Sequence, residues 1–159
     1  MSLFTVAGSL IAATLALFFV WTYPANQATG NWTSVPENWE QLRIQWEYSH
    51  AVNAALTFLA LLEPGDEVLL PDPGWPNYAM AVPLFHGRPV YYEVRPERRF
   101  LPDPSQIESL ITPRTKLLLL CSPSNPTGQV HDLALTRTLM ELARRHDLWV
   151  LADEIYGEI

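Results

Sequence analysis

The chain has 159 residues, is 48% apolar and carries a net charge of −7 at neutral pH. That length supports one domain with a modest core, and the acidic balance argues against nucleic-acid binding, which calls for clustered Lys and Arg. The single cysteine, Cys121, excludes an internal disulfide and a cysteine-rich zinc site. His86, His131 and His146 are scattered without metal-ligand spacing, so no metal centre is expected.

Charge is unevenly spread. All 27 Asp, Glu, Lys and Arg residues lie beyond Pro36, and residues 3–22 contain none. At about 1.5 Å per residue, this apolar run matches a hydrocarbon core of roughly 30 Å. Trp21 and Tyr23 fall where aromatic side chains meet lipid headgroups. No Lys or Arg precedes the run and no small-x-small cleavage pattern follows it. The pattern therefore predicts a transmembrane helix over 3–22 rather than a signal peptide, and membrane anchoring of any chain that keeps it.

Farther along, Trp39, Leu42, Trp46 and His50 recur at spacings of three and four, which predicts a helix with these residues along one face. A second apolar run, 51–62, is too short to span a bilayer and stops at Glu63-Pro64-Gly65. The order Pro24-x-Asn26, then Trp39, Leu42-Arg43, Trp46-Glu47 and His50, resembles the DUF1772 (anthrone oxygenase-like) family of small membrane proteins. That resemblance implies a first region, 1–54, made of a membrane helix and an amphipathic segment. From the residues themselves, Trp39 to His50 read as an amphipathic helix at a membrane surface.

From residue 55 onward the pattern changes to an α/β alternation. Residues 67–70 form a predicted strand after a Pro-Gly turn, and 89–94 form another. Pro104 follows Asp103 at the start of a predicted helix, 104–110, with the carboxylate as its cap. Residues 116–121 are apolar after Lys116, the signature of a strand buried on both faces. Leu135, Leu139, Leu142 and Ala143 mark an amphipathic helix over 133–146, and 149–152 form a last strand. Such alternation implies parallel βαβ units.

The last two strands carry the chemistry. A right-handed crossover puts their carboxyl ends on one edge of the sheet, where open α/β sheets bind ligands. Asn125 and Asp153 are thereby expected close together although 28 positions apart in sequence.

Four motifs then occur in order: Leu62-Glu63-Pro64-Gly65-Asp66-Glu67-Val68, Asp72-Pro73-Gly74-Trp75-Pro76-Asn77-Tyr78, Ser122-Pro123-Ser124-Asn125-Pro126-Thr127-Gly128 and Asp153-Glu154-Ile155-Tyr156. Residues 55–159 resemble the class I/II aminotransferases, the fold-type-I pyridoxal-phosphate enzymes. The resemblance implies an α/β fold: part of the PLP-transferase large domain, a mostly parallel sheet with flanking helices. It also implies pyridoxal 5′-phosphate as cofactor, an amino acid and a 2-oxo acid as substrates, a cytoplasmic type of enzyme and, for a full-length member, a homodimer. Asp153 would then pair with the pyridinium nitrogen, Asn125 and Tyr156 would donate to the ring's phenolate oxygen, and Trp75 would stack on the ring. Tyr78 would support Asp153 from behind.

The resemblance further implies a Schiff-base lysine some tens of residues past Tyr156 and a Gly/Ser/Thr-rich phosphate cup. The sequence stops three residues after Tyr156, its one lysine is Lys116, and the positions aligned with the cup are Val52, Asn53 and Ala54. The expectation is that no residue here serves as the Schiff-base lysine and that this chain alone does not turn over. Two alternatives stand beside it: a DUF1772-type membrane protein with a non-catalytic C-terminal half, and a non-catalytic module that binds pyridoxal phosphate.

Overall fold

The computed structural model of the protein describes residues 3–31 and 33–154. Two compact units divide after Leu61.

The first unit is helical. Helix α1 (Leu3–Leu17) runs through a π-helical turn (Phe18–Thr22) into α2 (Tyr23–Ala28). The wide turn is closed by the Tyr23 N–H donating to the Phe18 carbonyl, immediately before Pro24. Pro24 has no N–H to donate, so the ladder is interrupted there in any case, and a π-turn is a common way to absorb the interruption. After a turn, α3 (Trp39–Leu61) packs against α1. Polar contacts join the hairpin, among them Thr22 Oγ1 donating to Ser49 Oγ at 2.8 Å and Gln45 Nε2 donating to the Trp21 carbonyl at 2.7 Å.

The two segments expected between Trp39 and Leu62 are one helix of 23 residues, because no Gly or Pro interrupts them. The expected boundary after residue 54 falls inside it. The helix expected over Trp39 to His50 is part of α3, and the Trp46 and His50 rings of the expected face meet with centroids 4.2 Å apart. Trp39 and His50 stay exposed, and Ser49 and Phe58 are the buried residues of α3. Among the described residues, one helical stretch, Gly8–Ala28, is long and apolar enough to cross a membrane by length and composition. It overlaps the expected 3–22.

The second unit is a four-stranded, wholly parallel sheet. Strands β1 (Glu67–Asp72), β2 (Arg88–Glu93), β3 (Thr115–Cys121) and β4 (Trp149–Asp153) lie in the order β2-β1-β3-β4. Helices α4 (Pro76–Leu84), α5 (Pro104–Leu110) and α6 (Leu133–Arg145) make the crossovers. β1 and β3 are central, and Val68, Leu69, Leu117, Leu118 and Leu119 are fully buried, as expected of a strand pair covered on both faces. Leu69, Leu118 and Leu120 pack with Ile107 of α5 and with Leu139 and Leu142 of α6. The chain leaves β1 toward one edge and β3 toward the other, so right-handed crossovers put α4 on the face opposite α5 and α6. The Asp103 carboxylate caps α5 by accepting from Ser105 N at 3.0 Å, and Asp132 caps α6 from Leu135 N at 2.7 Å.

One charge is buried at the amino end of the sheet. Glu67 is 1% exposed and accepts hydrogen bonds from Thr112 Oγ1 at 2.6 Å, Thr115 Oγ1 at 3.3 Å and the Arg114 guanidinium at 3.1 Å. The Thr112 hydroxyl, helped by Arg114 and Thr115, holds its carboxyl below the ordinary 4.5 even though burial pulls the other way. Beside it a bulge shifts the register from Glu67↔Thr115 to Val68↔Leu117, which leaves Lys116 as the extra, exposed residue.

Glu67→Gln should destabilise this unit by about 2–3 kcal/mol at neutral pH, since it removes the buried carboxylate to which Thr112, Thr115 and Arg114 donate and sets an amide NH2 against those donors. A carboxylate with a lowered folded pKa contributes stability in full above the ordinary 4.5 and loses it as pH falls through the folded value. Urea unfolding at neutral pH and again well below 4.5 should therefore show a gap between wild type and variant that narrows with acid.

Candidate functional site

In a sheet of this order the connections wind in opposite senses from β1 and β3, and the loops leaving their carboxyl ends diverge to open a crevice. The loop after β1 carries Trp75 and the loop after β3 carries Asn125. Asp153 ends β4, which flanks β3 on the same edge.

The β1 loop is set by backbone crowding. A Cβ on Gly74 would lie 2.5 Å from the Pro71 carbonyl oxygen, so a side chain there forces the turn open. The turn delivers Trp75 in an extended conformation as the N-cap of α4, with Pro76 in the first turn, where its missing N–H costs nothing. Tyr78 follows one turn into the helix, and its ring meets the Trp75 ring edge-to-face, with centroids 5.5 Å apart and planes at 85°. A shallow cleft of about 180 Å³ opens beside this loop, lined by Asp72, Trp75, Tyr78 and Tyr91 among others; Asp153 does not line it.

Asp153 is placed by strand register. It pairs with Cys121 across β3 and β4, and the Ser122 N–H extends the ladder by donating to the Asp153 carbonyl at 3.1 Å. The phenol of Tyr78 donates to Asp153 Oδ2, a contact between residues 75 positions apart. Burial, this hydrogen bond and the neighbouring Cys121 thiol together push the Tyr78 phenol far above its ordinary value of 10. Tyr78 is therefore a hydrogen-bond donor throughout the accessible pH range.

Asn125 stands in a loop closed by Gly128 N donating to the Ser124 carbonyl at 2.7 Å and Ser124 N donating to the Gln129 carbonyl at 2.9 Å. Gly128 takes a φ of +69°, a conformation in which only glycine is unstrained. The loop is tied back by His131 N donating to Ser122 Oγ at 2.9 Å. Burial lowers the His131 imidazole below its ordinary 6.5, so it stands behind the loop as a neutral ring.

Of the residues expected to hold a ring, Trp75 and Asp153 are joined through Tyr78, and Asn125 shares their sheet edge; Tyr156 lies outside the described residues. Sequence reasoning did not find α4 as the element that carries Trp75 and Tyr78 together, although their spacing of three was a usable signal. A carboxylate with its own donor, an aromatic face and a polar loop at one sheet edge fit the rim of a protonated nitrogen heterocycle.

A model of the family described as aminotransferase class I and II matches residues 49–159. The chain belongs to this aminotransferase family. It is 46% identical over 102 residues to a probable aspartate/prephenate aminotransferase of Thermus aquaticus, covering 64% of this chain and 27% of that protein. It is 42% identical over 104 residues to an alanine aminotransferase of Mycobacterium tuberculosis, covering 65% and 24% respectively. Among solved structures, an alanine aminotransferase from Pyrococcus furiosus superposes with a TM-score of 0.64 at 38% identity, over 67% of this chain and 27% of that one. A Thermus thermophilus aspartate aminotransferase double mutant gives 0.60 at 43% identity, over 61% and 25%. The chain thus spans about a quarter of the length of the aminotransferases it matches.

The two glycines of the site separate crowding from backbone strain. Gly128→Ala, with nothing within 4 Å of the added Cβ, should cost about 1 kcal/mol from its positive φ alone. Gly74→Ala, which meets backbone, should cost about 2 kcal/mol or more. Denaturant midpoints of the two variants check the ranking.

Proposed function

We infer that the α/β unit is the ring-binding part of a pyridoxal-phosphate-dependent aminotransferase, a lineage that moves an amino group between an amino acid and a 2-oxo acid. The observation that carries this is Asp153 at the carboxyl end of β4, beside Cys121 in register and engaged by Tyr78, whose ring meets that of Trp75.

The chemistry this cofactor supplies when bound is an electron sink for the bond-breaking step. Asp153 is the residue to hold a proton at the ring nitrogen, because an adjacent carboxylate favours the charged form of a base. Trp75 is the residue to cover the ring face and exclude water from it. Asn125 and Tyr156 are assigned as donors to the ring's phenolate oxygen.

We also infer that this chain by itself does not turn over. Lys116, its one lysine, sits on the bulge five residues before Cys121. At about 3.3 Å per residue that is roughly 16 Å from the binding edge. Val52, Asn53 and Ala54, aligned with the phosphate cup, lie inside α3, where backbone N–H groups are already used by the helix.

Pyridoxine 5′-phosphate, an alcohol that cannot condense with Lys116, is a suitable probe. Calorimetry on the full chain should show saturable binding, weakened about tenfold or more by Asp153→Asn and unchanged by Lys116→Ala. With pyridoxal 5′-phosphate, an amino acid and a 2-oxo acid, no amino transfer is expected. Absence of saturable binding overturns the ring-binding assignment, and turnover abolished by Asp153→Ala overturns the inactivity.

A second function is favoured for the first unit by its exposed apolar surface, including Ile11, Leu15, Phe19 and Val20 on the stretch Gly8–Ala28. We infer that this stretch enters a bilayer as part of a DUF1772-like membrane segment. The full chain should float with liposomes in a density gradient, and a chain beginning at Leu62 should stay at the bottom; equal behaviour of the two would contradict membrane anchoring.

A further inference from the structure

We propose that the cleft beside the β1 loop is a binding site for an alkylated ammonium group, held by the Asp72 carboxylate against the rings of Trp75 and Tyr91. The site is separate from the ring site inferred above. Asp153 does not line it, and Asp72 and Tyr91 have no part in holding the ring.

Strand alternation builds the cleft. Tyr91 and Tyr92 are consecutive in β2 and stand on opposite faces of the sheet. Tyr92 is 1% exposed in the core, and its hydroxyl donates to the Leu119 carbonyl at 2.8 Å. Tyr91 is 47% exposed, opposite Leu70 in register, and its hydroxyl has no partner among the described residues. Leu70 also lines the cleft, and the Trp75 and Tyr78 rings, at 85° to each other, make a corner on the side of α4. The fold leaves Tyr91 and Trp75 with exposed aromatic surface that it does not itself use.

Charge decides what fits there. The exposed Asp72 carboxylate makes no hydrogen bond or ion pair with any described residue. Its neighbour in register, Glu93, is by contrast paired with Arg95. The first turn of α4 reaches the cleft too, but a helix amino end carries only about half a positive charge, against a full negative one on Asp72. The net field favours a cation. An alkylated ammonium gains from the ring faces as well as from the carboxylate. At about 180 Å³ the cleft is smaller than the roughly 300 Å³ or more that encloses a drug-sized ligand, so it takes a head group rather than a whole molecule.

The test titrates the full chain, in neutral detergent micelles, with choline and with its uncharged isostere, in which a quaternary carbon replaces the nitrogen. Ligand-observed NMR reads the binding. Choline should bind saturably and in preference to the isostere. Asp72→Asn should cut that preference about threefold, and Tyr91→Leu about two- to fivefold. Both side chains are exposed, so the variants should unfold near the wild-type denaturant midpoint, and a loss of preference is then a loss of contact. Equal affinity for the two probes means that the cleft collects apolar groups regardless of charge, and the proposal is wrong. Full preference retained by either variant puts the cation elsewhere and overturns it, as does a failure of choline to saturate. The ring-site assignment fails separately, because it is read with pyridoxine 5′-phosphate and Asp153→Asn.

Discussion

The parallel register that sets Asp153 beside Cys121 is the constraint on which the rest depends. Side chains alternate along a strand, so a slip of one residue would turn the Asp153 carboxylate to the other face of the sheet and away from Tyr78. β4 alone resists that slip only weakly, because among the described residues it is an edge strand, with Trp149 57% exposed and Val150 only partly buried against the core. The register is imposed from elsewhere. β3 is locked between neighbours by its buried leucines, α6 is seated on the core by Leu139 and Leu142, and Asp132 fixes where that helix starts. The hydrophobic core positions a carboxylate that it does not touch.

Two carboxylates at opposite ends of the sheet illustrate how surroundings divide structural from chemical work. Glu67 is enclosed by two hydroxyls and a guanidinium, all supplied within the fold, and its ionised form is satisfied where it sits. Asp153 stands at the carboxyl edge, half-buried, in contact with a phenol that is itself part of the aromatic lining. Ligands of open α/β sheets bind at that edge because the diverging loops leave a crevice there, whereas the amino edge is closed by the turns that enter the strands. Lys116 belongs with Glu67 at the amino end, and its exposure is explained by the bulge.

Much of this was legible in the sequence because local signals and tertiary demands agreed. The Asp103-Pro104 cap fixed the start of α5, the apolar run after Lys116 marked a central strand, and the spacing of Leu135, Leu139 and Leu142 marked α6. Helix α4 was not legible. It contains Pro76 and Pro83 within nine residues and has little amphipathic periodicity, so its helicity comes from packing between β1 and β2. The division of α3 into two segments fails for the opposite reason: composition changes near residue 51, but no Gly or Pro breaks the helix there. That Asn125 and Asp153 share one sheet edge follows from the crossover rule alone. The bond from Tyr78 to Asp153 needs the pitch of α4 and the register of β4 together, so only the family resemblance implies it in advance.

The most direct test of this account is nitrogen NMR of pyridoxine 5′-phosphate labelled at the ring nitrogen and bound to the full chain. The account predicts a protonated, hydrogen-bonded ring nitrogen at neutral pH, with a through-space contact from its proton to Asp153. A neutral, unbonded pyridine signal in the bound state would contradict it.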